Sequence, residues 1–319
     1  MSAVEIVRPG MFTTIQDRGR WGFQRWGVPV SGPMDAWSAR LANRLVGNPD
    51  GTALLEVTLR GPEFSLLRDG WIGVTGARFD VEIGGRQWRS PFVARALRDV
   101  LVRFGSRQDG TRAYVAFDGG LAIAPTLESA STHVRAGLGG VGGRALRAGD
   151  RIPLGPPGVR RLEERQVDSG LPAVPKPGMG DTATLDVLAG GSDDWTTAAV
   201  SALCATTFVV SADSDRMGYR LTGGRAAWPE GRSALLSHPV ALGAVQLPAG
   251  GDPILLMADR QTTGGYAQIA ALTRASRSLA GQLGPGDRIA FRSTSWSDAR
   301  EAHHRSEAAL DALAPEVRA

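Results

Sequence analysis

Three short stretches of the chain crowd acids, guanidiniums, hydroxyls and glycines together. The first runs through Thr13-Thr14-Ile15-Gln16-Asp17-Arg18-Gly19-Arg20 and continues over residues 27–35 to Asp35. The second is Ser214-Asp215-Arg216-Met217-Gly218-Tyr219-Arg220-Leu221, and the third is Asp259-Arg260-Gln261-Thr262-Thr263-Gly264-Gly265-Tyr266, directly after the apolar run 254–258. A carboxylate on such a loop can orient or deprotonate water, and a guanidinium can clamp a carboxylate or phosphate through two parallel bonds. Hydroxyls and amides add donors, and glycines let a ligand come close to the backbone. One such cluster reads as a salt-bridged turn. Three in one chain point to a site for a polar ligand.

Other chemistries find less support. Cys204 is the only cysteine, which excludes an intrachain disulfide and a Cys-based zinc site; in its apolar setting it reads as a core residue. The four histidines have no metal-ligand spacing: His133 and His238 are isolated, and His303-His304 are adjacent on a helix. No metal is therefore expected. Gly137-Leu138-Gly139-Gly140-Val141-Gly142 spells a dinucleotide loop, yet too few residues follow it before the Gly149-Asp150 turn to build the helix that loop requires. Lys176 is the only lysine, so no Walker loop is present, and any phosphate must be held by arginine or backbone amides. No Gly-x-Ser-x-Gly elbow supports a serine triad.

The elements that must position these clusters are mostly short strands. Residues 71–75, 79–83, 100–104, 113–117, 151–154, 208–211, 254–258 and 288–291 are apolar or alternating runs bounded by Gly, Pro and Asp, and Gly84-Gly85 offers a hairpin turn before residues 86–88. A helix opens at Ser31-Gly32-Pro33, carries Trp37, Leu41 and Leu45 at i, i+4, i+8, and closes at Gly47-Asn48. A second lies near 193–205, and a third, over 297–313, reads as a surface tail. Residues 148–154 (Ala-Gly-Asp-Arg-Ile-Pro-Leu) echo residues 285–291 (Pro-Gly-Asp-Arg-Ile-Ala-Phe), and apolar strands ending at Asp118 and Asp259 precede them. Two related β-rich domains follow: 1–155 and 184–294, joined by a Pro- and Gly-rich linker at 156–183, with a helical tail at 295–319.

Of 319 residues, 42% are hydrophobic and 21% charged, enough to fill a core and not a disordered composition. The net charge of +4 comes from dispersed arginines rather than runs, which argues against nucleic acid. No run of 18 apolar residues and no basic head before an apolar stretch appear, so a cytoplasmic protein without a membrane span is expected.

The three clusters, with Leu41-Ala42-Asn43-Arg44-Leu45-Val46-Gly47-Asn48 and Leu55-Glu56-Val57-Thr58-Leu59-Arg60-Gly61-Pro62, resemble the biotin-dependent carboxyltransferase family over roughly residues 4–292. That family includes KipA-type proteins, the C subunit of 5-oxoprolinase, "allophanate hydrolase subunit 2" and the carboxyltransferase region of urea carboxylase. The resemblance implies a mainly β fold of two cyclophilin-like β-barrel domains with a few short helices. One departure stands out: where the family commonly has Leu-Gly-Ser-Arg-Ser-Thr, this chain has Leu127-Glu128-Ser129-Ala130-Ser131-Thr132.

The resemblance further implies a hetero-oligomer with two other proteins. One is of the KipI type (the 5-oxoprolinase B subunit, or allophanate hydrolase subunit 1), and the other is the LamB/YcsF-type A subunit. The expected reaction is 5-oxo-L-proline + ATP + water to L-glutamate + ADP + phosphate, with ATP used by the complex. The alternatives are a urea carboxylase-type carboxyltransferase, with biotin carried by another protein, and a KipA-type regulatory partner of a kinase inhibitor. Allophanate hydrolysis itself needs a Ser-Ser-Lys constellation, and Lys176 lies in Val174-Pro175-Lys176-Pro177-Gly178 instead. By resemblance, Asp17, Arg20, Asp35, Asp259 and Arg260 are the catalytic candidates. Gln16, Arg216, Arg220, Thr262, Thr263, Gly264, Gly265 and Tyr266 are the substrate-binding ones.

Overall fold

The computed structural model describes residues 2–158, 162–167, 181–191, 193–224, 228, 230, 236–248 and 251–314. Much of the expected linker, with Lys176, lies outside them. The chain divides into two compact units: residues 1–21, 31–171 and 309–319 form one, and residues 22–30 and 172–308 the other.

The first unit carries β1 (Ala3–Arg8), β2 (Phe12–Gln16), helix α1 (Ala36–Leu45), β3 (Leu54–Thr58), β4 (Glu63–Leu66) and β5 (Gly70–Ile83). It continues with β6 (Arg86–Arg89), β7 (Phe92–Ala96), β8 (Leu101–Phe117), β9 (Arg151–Pro153) and β10 (Arg165–Gln166). These ten strands make one sheet in the order β10-β7-β5-β8-β4-β1-β9, with β3 on β8, β2 on β3 and β6 on β5. The long antiparallel pair β5–β8 is its spine: Ile72, Val74 and Ile83 sit opposite Phe117, Val115 and Val102, and all are buried in one core. The alternation of a strand sends Tyr114 and Ala116 to the other face. There α1 covers them with Trp37, Leu41 and Leu45, the i, i+4, i+8 stripe of the sequence. Close approach of the helix requires Gly73, where a Cβ would stand 2.7 Å from the Ala42 carbonyl oxygen.

The helix starts three residues later than Pro33, its expected first turn. Asp35 is the N-cap and accepts hydrogen bonds from Ser38 N (3.0 Å) and Ser38 Oγ (2.6 Å), which fixes the start at Ala36. At the other end Gly47 takes φ +76°.

The second unit carries β11 (Thr182–Ala189), α2 (Asp194–Cys204), β12 (Thr207–Val210), β13 (Gly218–Thr222), β14 (His238–Pro239), β15 (Ala244–Leu247) and β16 (Ile254–Leu256). Then come β17 (Thr263–Gly264), β18 (Ala267–Leu272), α3 (Arg274–Gly281), β19 (Arg288–Ser293) and α4 (Trp296–Leu313), whose residues from 309 on belong to the first unit. Seven strands close into a barrel in the order β11-β18-β15-β16-β13-β12-β19, sealed by the parallel pairing of β11 with β19. Leu185, Phe208, Leu221, Val245, Leu255, Ile269 and Ile289 are buried along its wall. The small sheet β14–β17 stands apart from the barrel ladder.

The end of α4 is not the surface tail that its composition suggests. Within the first unit Leu310 and Ala314 are buried in the same cluster as Trp37 and Leu41, and Arg44 donates to Asp311 (2.6 Å) and to the Ala314 carbonyl (3.2 Å).

Candidate functional site

In the first unit, Gln16, Asp17 and Arg20 leave β2 and meet the loop over residues 126–133. The Asp17 carboxylate accepts from Gly19 N (2.8 Å), Ser129 Oγ (2.5 Å), Ala130 N (2.6 Å) and Ser131 Oγ (2.7 Å). Arg20, with no exposed surface, donates to the Thr126 carbonyl (3.4 Å) and to the Ser131 carbonyl. Acid and guanidinium therefore grip the same loop from its donors and its acceptors. Glycine at 139 is needed because a Cβ there would meet Arg20 Nη2 at 2.7 Å and the Ser131 carbonyl oxygen at 2.1 Å.

This is the loop in which Glu128 and Ala130 depart from the family pattern. Leu127 and Glu128 take φ +52° and +62°, so Glu128 holds the left-handed conformation for which glycine is better suited. Beside it, Gln16 Nε2 donates to Thr14 Oγ1 (3.0 Å) and to the Thr132 carbonyl (3.2 Å). Gln16 Oε1, Thr132 Oγ1 and His133 Nε2 are buried with no hydrogen-bond partner. A buried polar atom without a partner is costly, so these three mark where a ligand or water would be held. His133 is a residue that sequence reasoning missed. Its isolation along the chain carried no signal, because Gln16 of β2 reaches the adjacent Thr132 from 116 positions away.

Asp35 stands in a different network. Its backbone N donates to Tyr114 Oη (2.7 Å), Tyr114 Oη donates to Glu56 Oε2 (2.9 Å), and Glu56 Oε2 also accepts from Met34 N (2.8 Å). Burial, with the charges of Glu56 and Asp35 next, pushes the Tyr114 phenol well above its ordinary pKa and keeps it a neutral donor. Asp35 joins α1 to the sheet rather than joining Asp17.

In the second unit, Asp259 follows β16 and accepts a two-bond clamp from Arg216, at 2.9 Å from Nε and 3.1 Å from Nη2. Both residues are buried, and Asp259 N donates to the Arg216 carbonyl (2.8 Å). Arg260 is equally buried, but among the described residues its Nε donates to the Val240 carbonyl (3.2 Å) and it forms no ion pair. Burial, and then the charge of Arg277, pushes its pKa down to about 10. The pair is thus Arg216–Asp259, and Arg260 keeps a desolvated positive charge.

Next to it, Gln246 Nε2 is buried without a partner, and a Cβ on Gly264 would lie 2.7 Å from that nitrogen. Thr262 carbonyl accepts from Val240 N (3.0 Å), and Thr263-Gly264 forms β17 against β14. Thr263 and Tyr266 are exposed, and Gly265 is half-buried between them. Arg220 points outward from β13 between buried Tyr219 and Leu221, and is not drawn into the Arg216–Asp259 group.

No group of three or more His, Cys, Asp or Glu among the described residues is placed to hold a metal ion. No helix among them is long and apolar enough to cross a membrane.

The chain resembles known proteins along most of its length. The family model described as "Carboxyltransferase domain, subdomain A and B" matches residues 26–293. The chain is 35% identical to the C subunit of 5-oxoprolinase from Escherichia coli K12, over 98% of this chain and 97% of that protein. Among solved structures, that of TTHA0988 is 35% identical with a TM-score of 0.80, over 92% of this chain and 56% of that one. The urea carboxylase of Kluyveromyces lactis is 30% identical with a TM-score of 0.84, over 98% of this chain and 29% of that one. The chain therefore spans little more than half of the first of these solved proteins and under a third of the second. By its family match and its full-length likeness to a protein of the same kind, the chain belongs to the carboxyltransferase domain family, subdomain A and B.

Proposed function

We propose that this chain is the C subunit of a hetero-oligomeric 5-oxoprolinase, which opens 5-oxo-L-proline with ATP and two waters to give L-glutamate, ADP and phosphate. The observation that carries this reading is the likeness to the C subunit of 5-oxoprolinase over nearly the whole of both chains. Opening a stable lactam requires activation of its carbonyl oxygen, and ATP supplies that activation by phosphorylation. Negative charge then develops on oxygen, and a desolvated guanidinium is well suited to meet it.

Arg260 has that character, since its charge is buried and Asp259 is committed to Arg216. In this reading Arg260 clamps the substrate's carboxylate or the developing oxyanion, and Thr262, Thr263 and Tyr266 supply donors beside it. Asp17, already accepting four hydrogen bonds, acts as a positioning residue for the loop that carries Thr132 and His133. The partners are a KipI-type B subunit together with a LamB/YcsF-type A subunit, and ATP is a substrate of the assembly.

The second reading is a carboxyltransferase acting on urea or a similar amide, favoured by the likeness to urea carboxylase, with carboxybiotin delivered by another protein. One assay separates them. Purified chain is mixed with candidate KipI-type and LamB/YcsF-type partners and supplied with 5-oxo-L-proline and ATP. The expected result is glutamate and ADP in equal amounts from the mixture, and none from the chain alone. Absence of glutamate from the mixture, together with carboxylation of urea when a carboxybiotinylated carrier is added, would transfer the assignment to the second reading.

A further inference from the structure

In the second unit a cavity of about 590 Å³ opens between α3 and the first turns of α4. Its wall carries Arg274, Arg277, Arg300 and His303, together with the indole of Trp296 and the side chain of Leu188. No acid among the described residues lines it. The acids nearby are engaged elsewhere: Asp186 holds Arg292 through two bonds (2.7 and 3.1 Å), Asp298 accepts from Ser295 Oγ (2.7 Å), and Glu301 pairs with Arg305. Among the described residues Glu307, 4.0 Å from His303 Nδ1, is the acid that faces the group.

Arg274, Arg277 and Arg300 form no ion pair among the described residues. Arg277 Nε is also buried with no hydrogen-bond partner. Burial, and then the charge of Arg274, pushes the Arg277 pKa below its ordinary value, so the cations repel one another in a partly desolvated space.

A cavity of about 530 Å³ in the first unit is built differently. There Arg68 faces Asp118 and Arg95 faces Asp69, so each cation is already neutralised. The cavity of the second unit has cations and an exposed tryptophan, 78% accessible, with no acid among the described residues on its wall to balance the charge. Planar guanidiniums bind clustered anionic oxygens through paired bonds, and several converging arginines with no acid among them match a phosphate or pyrophosphate group.

We propose that the cavity between α3 and α4 binds a small molecule bearing clustered anionic oxygens, of the phosphate or pyrophosphate class, with Arg274, Arg277 and Arg300 clamping the oxygens and Trp296 covering the rest of the ligand. The site is distinct from the loop proposed above for the reaction, although the charge of Arg277 reaches Arg260. Half of it is built by α4, which begins at Trp296, past residue 293 where the family match ends.

The test uses the full-length chain at constant ionic strength, titrated calorimetrically with pyrophosphate, with citrate as a polycarboxylate and with chloride as control. Pyrophosphate is expected to bind saturably at one site and to raise the melting temperature, while chloride does neither. The double variant Arg274→Gln/Arg300→Gln, at two exposed positions, should fold normally and bind at least tenfold more weakly. Saturable binding of citrate in place of pyrophosphate, lost in the same variant, would support the oxyanion site and assign it to polycarboxylates. Absence of saturable binding by both, or equal affinity in the double variant, overturns the proposal.

Discussion

Arg260 and Asp259 are neighbours in the chain with opposite surroundings. From their order alone, the two could have formed a pair on one turn. Instead Asp259 turns to Arg216, which the antiparallel pairing of β13 with β16 brings beside it, and Arg260 is left in a desolvated place, donating to a backbone carbonyl. The two residues should fail differently. Asp259→Asn leaves a buried guanidinium without its acid, and should lower stability by about 3–5 kcal/mol in chemical denaturation. Arg260→Lys keeps a cation and one donor, so the fold should survive. The forked geometry is lost, and kcat/KM of the assembled complex should fall by about 2–4 kcal/mol, or roughly 30- to 1000-fold. A variant that melts earlier yet turns over normally per folded molecule would place Arg260 outside the site. The residue types of the site were legible in the sequence because acid, arginine and glycine crowd together there. Which acid meets which arginine was not, since that depends on strand pairing between residues over forty positions apart.

At the scale of elements, the short strands read well and the long ones read in pieces. β5 appears in the sequence as two runs, because Gly76 with φ +80° and three register shifts interrupt its alternation. β8 likewise breaks at its polar middle, where exposed residues face solvent. α3 escaped notice because only Ser276, Ala280 and Gly281 are buried on it, so it shows little apolar stripe; its one signal is the Thr273 cap. The faint repeat fared better. Asp150 accepts from Arg147 N (2.7 Å) and Asp287 from Gly284 N (2.8 Å), while Gly149 donates to Ile6 and Gly286 to Val210, both at 2.8 Å. Ile6 and Val210 donate back to Asp150 and Asp287, both at 2.9 Å. The two turns are the same device, used once in each unit. Gly149 and Gly286 sit at φ +86° and +90° with nothing within 4 Å of a Cβ, so only backbone strain opposes alanine. Gly149→Ala and Gly286→Ala should each cost about 1–2 kcal/mol, by equal amounts within error, in thermal or denaturant melts. A large difference between them would show that the turns are not equivalent.

For the whole molecule, many of the arginines are engaged in ion pairs, and the pairs of Arg40 and Arg44 with Asp50 bear on behaviour in acid. Burial would raise the Asp50 carboxyl, but hydrogen bonds from Arg44 (2.6 and 3.0 Å) and Arg40 (2.7 Å) outweigh it and hold its pKa below the ordinary value. A carboxylate depressed in the folded state contributes stability that is complete above its unfolded pKa of about 3.9 and lost as pH falls below it. Melting temperature should therefore fall steeply below about pH 4. Asp50→Asn should be about 3 kcal/mol less stable at neutral pH and show a shallower acid limb; an unchanged limb would mean other groups control it. The barrel of the second unit has a consequence of another kind. Its seam joins β11 to β19, strands whose paired residues are made about a hundred positions apart, and no hairpin can zip such a parallel seam. During translation the early strands of this unit must wait, unsealed and with bare edges, until the last strand clears the ribosome. That interval is when a chaperone or a neighbouring chain can compete for them.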